Sequence, residues 1–305
     1  MSTKFSIYKL EFTTGVHFGK GMLNDSDCVF YADQLFSALY IEALKFGKAE
    51  IFYEAVRSGR LLFSDVLPFA SGRYMIPKPL LYVEPPNKGD SEEKKKYKKL
   101  KYIPIEWLQS FLTGELYFEQ NPMEDFGEYE QRVMAAVRRK DDTLPYYVGV
   151  FHFNPGNGLY VILAYQEYDE KELAEKLLES VSYSGIGGER SNGLGMFELK
   201  KAGKGKDMLV KYLEKQSRKK LLLSTALPRE DELSHALEGA TYLLGKRSGF
   251  VSSVDYADEL RRKKDLYVFM AGSCFEKKFD GDIYDVSDGG GHPVYRYAKP
   301  LFMGV

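Results

Sequence analysis

Cysteine is almost missing: Cys28 and Cys274 are the two in 305 residues, and they stand far apart. They can build neither a disulfide framework nor a zinc site, so a reducing cytoplasm is the expected setting. Long apolar runs are missing too. Nothing approaches the roughly 18 consecutive apolar residues of a membrane span, so no membrane role is expected. Residues 1–10 alternate polar and apolar, without the apolar stretch of a signal peptide. Neither sign of charge is in excess, the net being −1. A free-standing nucleic-acid binder is usually basic, so that role requires positive charge concentrated locally.

Recognisable catalytic chemistry is also scarce. The four histidines, His17, His152, His235 and His292, are scattered, with no H-E-x-x-H or Cys/His ligand spacing. There is no G-x-S-x-G elbow, and no spacing singles out a pair of carboxylates for acid–base work. His152 alternates with Val148 and Val150 on a strand, which reads as structural. His235 lies on an exposed-looking helix. No metal, no cofactor and no catalytic residue is expected from these patterns.

What is present is a chain able to bury a core. Apolar residues make up 44%, charged residues 29%, and aromatics 14% with 23 Tyr and 20 Phe. That suits a sheet-rich core or stacking surfaces for bases. The length suggests two domains. Residues 4–13 read as a first strand buried on both faces. Residues 31–46 read as a helix with Ala32, Leu35, Phe36, Leu39, Ala43 and Phe46 on one stripe and Gly47 as its left-handed stop. Short strands follow at 61–67 and 73–83. Residues 87–142 read as an inserted arm holding the charge run 91–101, with six lysines, and a short helix 105–112 stopped by Gly114. Residues 146–153 and 159–165 read as a hairpin around Asn154-Pro-Gly-Asn-Gly158. A helix over 169–181, capped by Asp169 with Glu172, leads into a glycine-rich loop and a strand at 196–200.

This order is the split β-α-β topology of a ferredoxin-like fold. Residues 202–206 read as a linker. A smaller unit then begins, with strands at 221–227, 241–251, 266–275, 282–286 and 294–303 and a helix at 228–237. The expectation is an α+β chain of two ferredoxin-like domains with antiparallel sheets, 1–205 carrying the 87–142 arm and 206–305.

Three loops carry information. Residues 185–195 hold five glycines in eleven positions: Gly185, Gly187, Gly188, Gly193 and Gly195. Glycine adopts positive φ cheaply and lets another backbone approach, and such loops offer N–H groups to phosphates. A dinucleotide fingerprint or P-loop runs strand, loop, helix. Here the order is helix, loop, strand, with no Gly-Lys-Ser/Thr, so a nucleotide cofactor is disfavoured. A tight turn without ligand fits the same composition. Arg190, Ser191 and Asn192 at the tip favour phosphate or sugar contacts. The loop at 245–249 repeats the Arg-Ser-Gly pattern with Lys246, Arg247, Ser248 and Gly249, and reads as a second contact or as a plain turn. The loop after the first strand holds His17, Phe18 and Lys20. Phe18 stacks on a base or belongs to the core; Lys20 meets phosphate; His17 is a contact or a satisfied polar residue. Arg138 and Arg139 are either an RNA contact or a solvated face.

At 185–195 the sequence resembles the glycine-rich signature of the RAMP superfamily of CRISPR proteins. The order of further stretches, 16–23, 30–39, 76–80, 183–199, 224–228, 242–250, 266–285 and 297–302, resembles the family of the fourth subunit of the Csm complex, the type III-A effector. The 87–142 arm matches that family poorly. The resemblance implies RRM-like domains and a non-catalytic subunit that grips the 5′ repeat-derived tag of the CRISPR RNA. It implies three further partners: the large polymerase-like subunit, the backbone RAMP subunit and, indirectly, target RNA. The tag would touch 185–195, with His17, Phe18, Lys20 and 246–249 lining a cleft between domains. An alternative within the superfamily is a metal-independent CRISPR RNA-processing endoribonuclease using His17.

Overall fold

A computed structural model describes residues 3–84, 91–139, 142–253 and 255–305, apart from the side chains of 91–94, 136–139 and 142–143. The chain opens with β1 (Lys4–Phe12), the short pair β2 (Phe18–Gly19) and β3 (Ser26–Asp27), then α1 (Ala32–Lys45) and α2 (Ala49–Arg57). Next come β4 (Leu61–Phe63), β5 (Leu67–Ala70), β6 (Arg73–Pro77), α3 (Ser91–Lys99), β7 (Tyr102–Pro104) and α4 (Leu108–Thr113). The long strands β8 (Gly127–Arg139) and β9 (Asp142–Phe153) precede β10 (Gly158–Tyr165), α5 (Tyr168–Ser184) and β11 (Phe197–Lys201). The remainder holds α6 (Lys206–Glu214), β12 (Lys220–Leu222), α7 (Glu230–Ala236), β13 (Leu244–Arg247) and β14 (Leu266–Phe269). It ends with β15 (Cys274–Phe275), β16 (Asp282–Asp285), β17 (Tyr295–Ala298) and β18 (Phe302–Gly304).

The architecture is mixed α and β with antiparallel sheets. The main sheet runs β11-β1-β10-β5-β6-β7, with β4 also paired to β10. Both its faces are covered, which is why β10 (Gly-Leu-Tyr-Val-Ile-Leu-Ala-Tyr) shows no polar alternation and is buried throughout. Its odd positions, Leu159, Val161 and Leu163, pack with Tyr8 and Leu10 of β1 against α1 and α5. Its even positions, Tyr160, Ile162 and Ala164, pack with Ile7 against Leu209 and Leu213 of α6, Leu221 and Met303 of the C-terminal sheet and Leu301 just before β18. That sheet is the three-stranded β15-β12-β18. The period-two alternation of β10 therefore builds two cores from one strand.

Several expectations change. Residues 146–153 and 159–165 are not a hairpin: β9 pairs with β8 over nearly its whole length, and β10 pairs with β1, β4 and β5. The intervening loop is tied to the foot of β8, with Asn154 and Asn157 donating to the Asp125 carbonyl at 3.0 and 2.7 Å. Of the segment read as an arm, β7 joins the main sheet through β6, and Ile103, Ile105, Leu108 and Phe111 are fully buried. Helix α5 starts earlier than expected, because Glu170 accepts from the Glu167 amide at 2.6 Å in place of an Asp169 cap. The linker read at 202–206 leads directly into α6. On α1 the expected stripe is buried except Phe46, which sits at the C-cap and is exposed, while Gly47 takes φ 64. Among the described helices none is long and apolar enough to cross a membrane.

Candidate functional site

The glycine-rich loop leaves the end of α5 and returns as β11. Its neck closes where the Ile186 amide donates to the Gly195 carbonyl at 3.0 Å. It is then stitched to the loop after β1: Gly195 donates to Gly15 at 2.9 Å and Gly188 to His17 at 2.9 Å. Two glycines are required for this. Gly187 has φ 92, and a Cβ there would lie 2.6 Å from the His17 carbonyl. Gly195 has φ 82, and a Cβ would lie 2.0 Å from the Ile186 carbonyl. Their smallness serves loop-on-loop packing first. The amides of Ile186, Gly188 and Gly195 are thus spent within the chain, and the exposed tip is the turn Arg190–Asn192.

One cavity of about 310 Å³ gathers the predicted loops. It is lined by His17, by Gly185, Gly187, Gly188 and Arg190, and by Arg247, Ser248 and Gly249. Residues from three distant segments thus meet at one cavity. The other predicted residues lie elsewhere. Phe18 is 1% exposed, with ring centroids 4.9 Å from Phe30 and 6.1 Å from Phe12. It is a core residue and cannot stack on a base. Lys20 lies 3.8 Å from Asp27, and Lys246 pairs with Asp265 at 2.7 Å. Ser191 and Asn192 are exposed outside the cavity lining, and the Asn192 amide donates to the Glu189 carboxylate. Gly193, at φ 80, ends the 190–192 turn, and buried Gly195 lies behind the loop. Arg138 and Arg139 stand at the far end of β8, and their side chains lie outside the described residues.

Composition and motifs missed the floor of the cavity. Asp33, in the first turn of α1, is buried between two guanidinium groups. Arg247 reaches it through Nε at 3.0 Å and Nη2 at 2.8 Å, and lies over the Tyr31 ring at 4.3 Å. Arg296 of β17 reaches it through Nη1 at 2.8 Å and donates Nη2 to the Ser248 carbonyl at 3.3 Å. Burial disfavours both cations. For Arg247 the two-pronged carboxylate outweighs burial, and its pKa is raised. For Arg296 burial wins, because it meets the carboxylate through one nitrogen only and faces Arg247 as well. Lys263, whose amide donates to the Gly249 carbonyl at 2.8 Å, also lines the cavity. Burial, and then Arg296, push its ammonium pKa down. Four cations, Arg190, Arg247, Lys263 and Arg296, thus face one carboxylate. This is the local positive charge that a net of −1 concealed. Tyr-Arg-Tyr at 295–297 was the available signal, an arginine between aromatics in a strand.

His17 is 6% exposed, and Nδ1 donates to the Gly149 carbonyl at 2.7 Å, while Nε2 has no hydrogen-bond partner among the described residues. Among the described residues no group of His, Cys, Asp and Glu is arranged to hold a metal ion.

The fold recurs in solved structures. A chain of the Csm3–Csm4 subcomplex of the type III-A CRISPR-Cas interference complex superposes with TM-score 0.66 at 17% identity, covering 98% of this chain and 99% of that one. A chain of the Csm1–Csm4 cassette in complex with pppApA gives TM-score 0.62 at 20% identity, covering 100% and 98%. The protein shares its fold with chains solved in these type III-A assemblies. Sequence is more specific. The family model for the CRISPR Csm4 C-terminal domain matches residues 215–305. The CRISPR system protein Csm4 of Mycobacterium tuberculosis is 41% identical over 295 residues, covering 95% of this chain and 94% of its own length. That of Streptococcus thermophilus is 36% identical over 310 residues, covering 97% and 98%. The chain belongs to the Csm4 family.

Proposed function

We propose that this chain holds the 5′ repeat-derived tag of the CRISPR RNA within a type III-A effector complex, and that the cavity between its glycine loops receives that RNA. The observation that carries this reading is the convergence of the 185–195 loop, His17 and residues 247–249 on a cleft lined by four cations and one carboxylate. Single-stranded RNA suits such a cleft, since its backbone is met by cations and its bases are free to splay. Solved relatives carry the names of Csm3–Csm4 and Csm1–Csm4 assemblies. By extension this chain bridges a Csm3-type backbone subunit and a Csm1-type large subunit. We read its fold as two ferredoxin-like units, 1–205 and 206–305, the first with 87–142 inserted. Support for the first is the order β11-β1-β10-β5, which a β-α-β-β-α-β run produces when its first and third strands lie at the centre.

The role requires no chemical step. His17 is fixed by the Gly149 carbonyl and is the one histidine lining the cavity among the described residues. Incubating the pure protein with repeat RNA and no metal tests this; specific cleavage lost in His17→Ala would establish the nuclease reading instead. For RNA holding, the complex is purified with Arg190→Ala or Gly187→Val and its guide RNA is quantified. Reduced occupancy is expected for both, through a lost cation in the first and a displaced loop in the second. Full occupancy in both would refute the assignment.

A further inference from the structure

The cleft has unmet valence at one end, and its dimensions are small. Arg296 is 5% exposed, and its Nε has no hydrogen-bond partner among the described residues. A buried guanidinium normally satisfies its donors, so an orphan N–H points to a missing acceptor. Beside it, the half-buried Lys263 ammonium has no carboxylate within ion-pair distance among the described residues, and partial burial disfavours its charge. Asp33 is already divided between Arg247 and Arg296 and cannot serve a third cation. Arg190 of the glycine loop adds a fourth to the lining. A buried charge without a partner is expensive, and an anion between Lys263 and Arg296 removes that cost.

The adjoining wall is of another kind. Phe250 follows directly on Gly249, is 51% exposed and lines the same cavity. Its strand segment is bridged to Arg262, the neighbour of Lys263, so the ring and the ammonium belong to one local frame. An exposed aromatic beside a cationic floor is the arrangement that stacks an unpaired base while its phosphate is held. The space, about 310 Å³, is at the lower end of ligand pockets, roughly 300–1,000 Å³. It is of the size of one nucleotide.

We infer that the cavity is a one-nucleotide seat in which Lys263 and Arg296 hold a single phosphate of an RNA strand and Phe250 stacks its base. This rests on the RNA-holding reading and names the contacts within it. Asp33 belongs to the seat as its internal counter-ion, keeping the two arginines folded inward when no RNA is bound.

The test is fluorescence anisotropy of the full chain with a labelled single-stranded RNA of the tag sequence, at several salt concentrations, with adenosine monophosphate as competitor. Lys263→Ala is expected to weaken binding about tenfold, and to reduce the slope of log affinity against log salt by about 0.7, the share of one phosphate on a single strand. Lys263→Arg retains the slope. Phe250→Ala weakens binding about tenfold with the slope unchanged, and Phe250→Tyr restores it. Thermal unfolding confirms that each variant folds. Adenosine monophosphate competes only at far higher concentration than RNA; equal potency would assign the seat to a free nucleotide and overturn the inference. An unchanged slope in Lys263→Ala together with unchanged affinity in Phe250→Ala would overturn the seat while leaving RNA holding intact. No RNA affinity in the parent chain would remove both.

Discussion

Asp33 is the residue on which the cleft turns, because two guanidinium groups from distant segments share its carboxylate at 2.8 to 3.0 Å. All three groups are largely buried, with side-chain exposures of 5% for Asp33, 16% for Arg247 and 6% for Arg296. Removing one partner of a buried cluster leaves charge uncompensated, at a cost of about 3–5 kcal/mol. Asp33→Ala is therefore expected to lower unfolding stability in urea by an amount of that order. It also frees two arginines to meet phosphate, so RNA affinity per folded molecule should rise. The two effects have opposite sign. A variant in which both stability and affinity fall would show that Asp33 only props up the cleft.

Among elements, the pairing of α1 with α5 sets the origin of the glycine loop. Glu42 of α1 is 2% exposed and accepts from Lys45 at 2.7 Å, Ser180 at 2.7 Å and Ser184 at 2.8 Å. Burial pushes its carboxyl up, but those three donors outweigh it and hold the pKa below the usual range. Ser184 is the last residue of α5 and directly precedes Gly185. Glu42→Ala should cost about 1.5–3 kcal/mol, the range for hydrogen bonds to a charged group. It should also raise hydrogen exchange at the Gly188 amide, which bonds His17. Unchanged exchange would separate the clamp from the loop. This clamp was not legible in the sequence, although its elements were. Strand β1, helices α1 and α5 and strand β11 carry strong periodicity over eight or more residues or sit beside glycine stops, so their existence could be read locally. Helix α2 was missed, although Ala-Glu-Ile-Phe-Tyr-Glu-Ala-Val-Arg buries Phe52, Ala55 and Val56 along one side. The partner of β9 was misread because pairing is a long-range choice, decided here by Asn154 and Asn157 gripping the foot of β8. In the same way the glycine loops could be found from composition. Asp33, Phe250 and Lys263 could not, since each looks ordinary until the chain brings them together, and Arg296 had only its two flanking tyrosines to mark it.

At the scale of the whole molecule, Asp65 joins the N-terminal sheet, α1 and the C-terminal part. Its carboxylate accepts from the Ala32 amide at 2.8 Å and the Thr225 amide at 2.9 Å, and its own amide donates to the Leu223 carbonyl at 2.9 Å. Nearby, the Tyr297 hydroxyl accepts from the Phe63 amide at 3.1 Å across the same seam. Full burial raises the Asp65 pKa to about 7, and the two amide donors only partly oppose this. The unfolded chain holds this carboxyl near 3.9. Between those values the folded state binds the proton more tightly, so the stability this group contributes is complete below about pH 4 and declines as pH rises to about 7. Each pKa unit corresponds to about 1.4 kcal/mol. Glu42 works in the opposite direction and loses its contribution as pH falls through the acid range, so the parent chain alone mixes the two trends. Asp65→Asn separates them. Its amide oxygen can accept from both Ala32 and Thr225, and it carries no charge to desolvate. The stability of Asp65→Asn relative to the parent should therefore increase steadily from pH 5 to pH 7 and level off above. Urea unfolding of both proteins at pH 5, 6, 7 and 8 measures it. Parallel curves over that range would mean that Asp65 is ionised throughout and that the seam is held by a buried charge which the surrounding amides fully compensate.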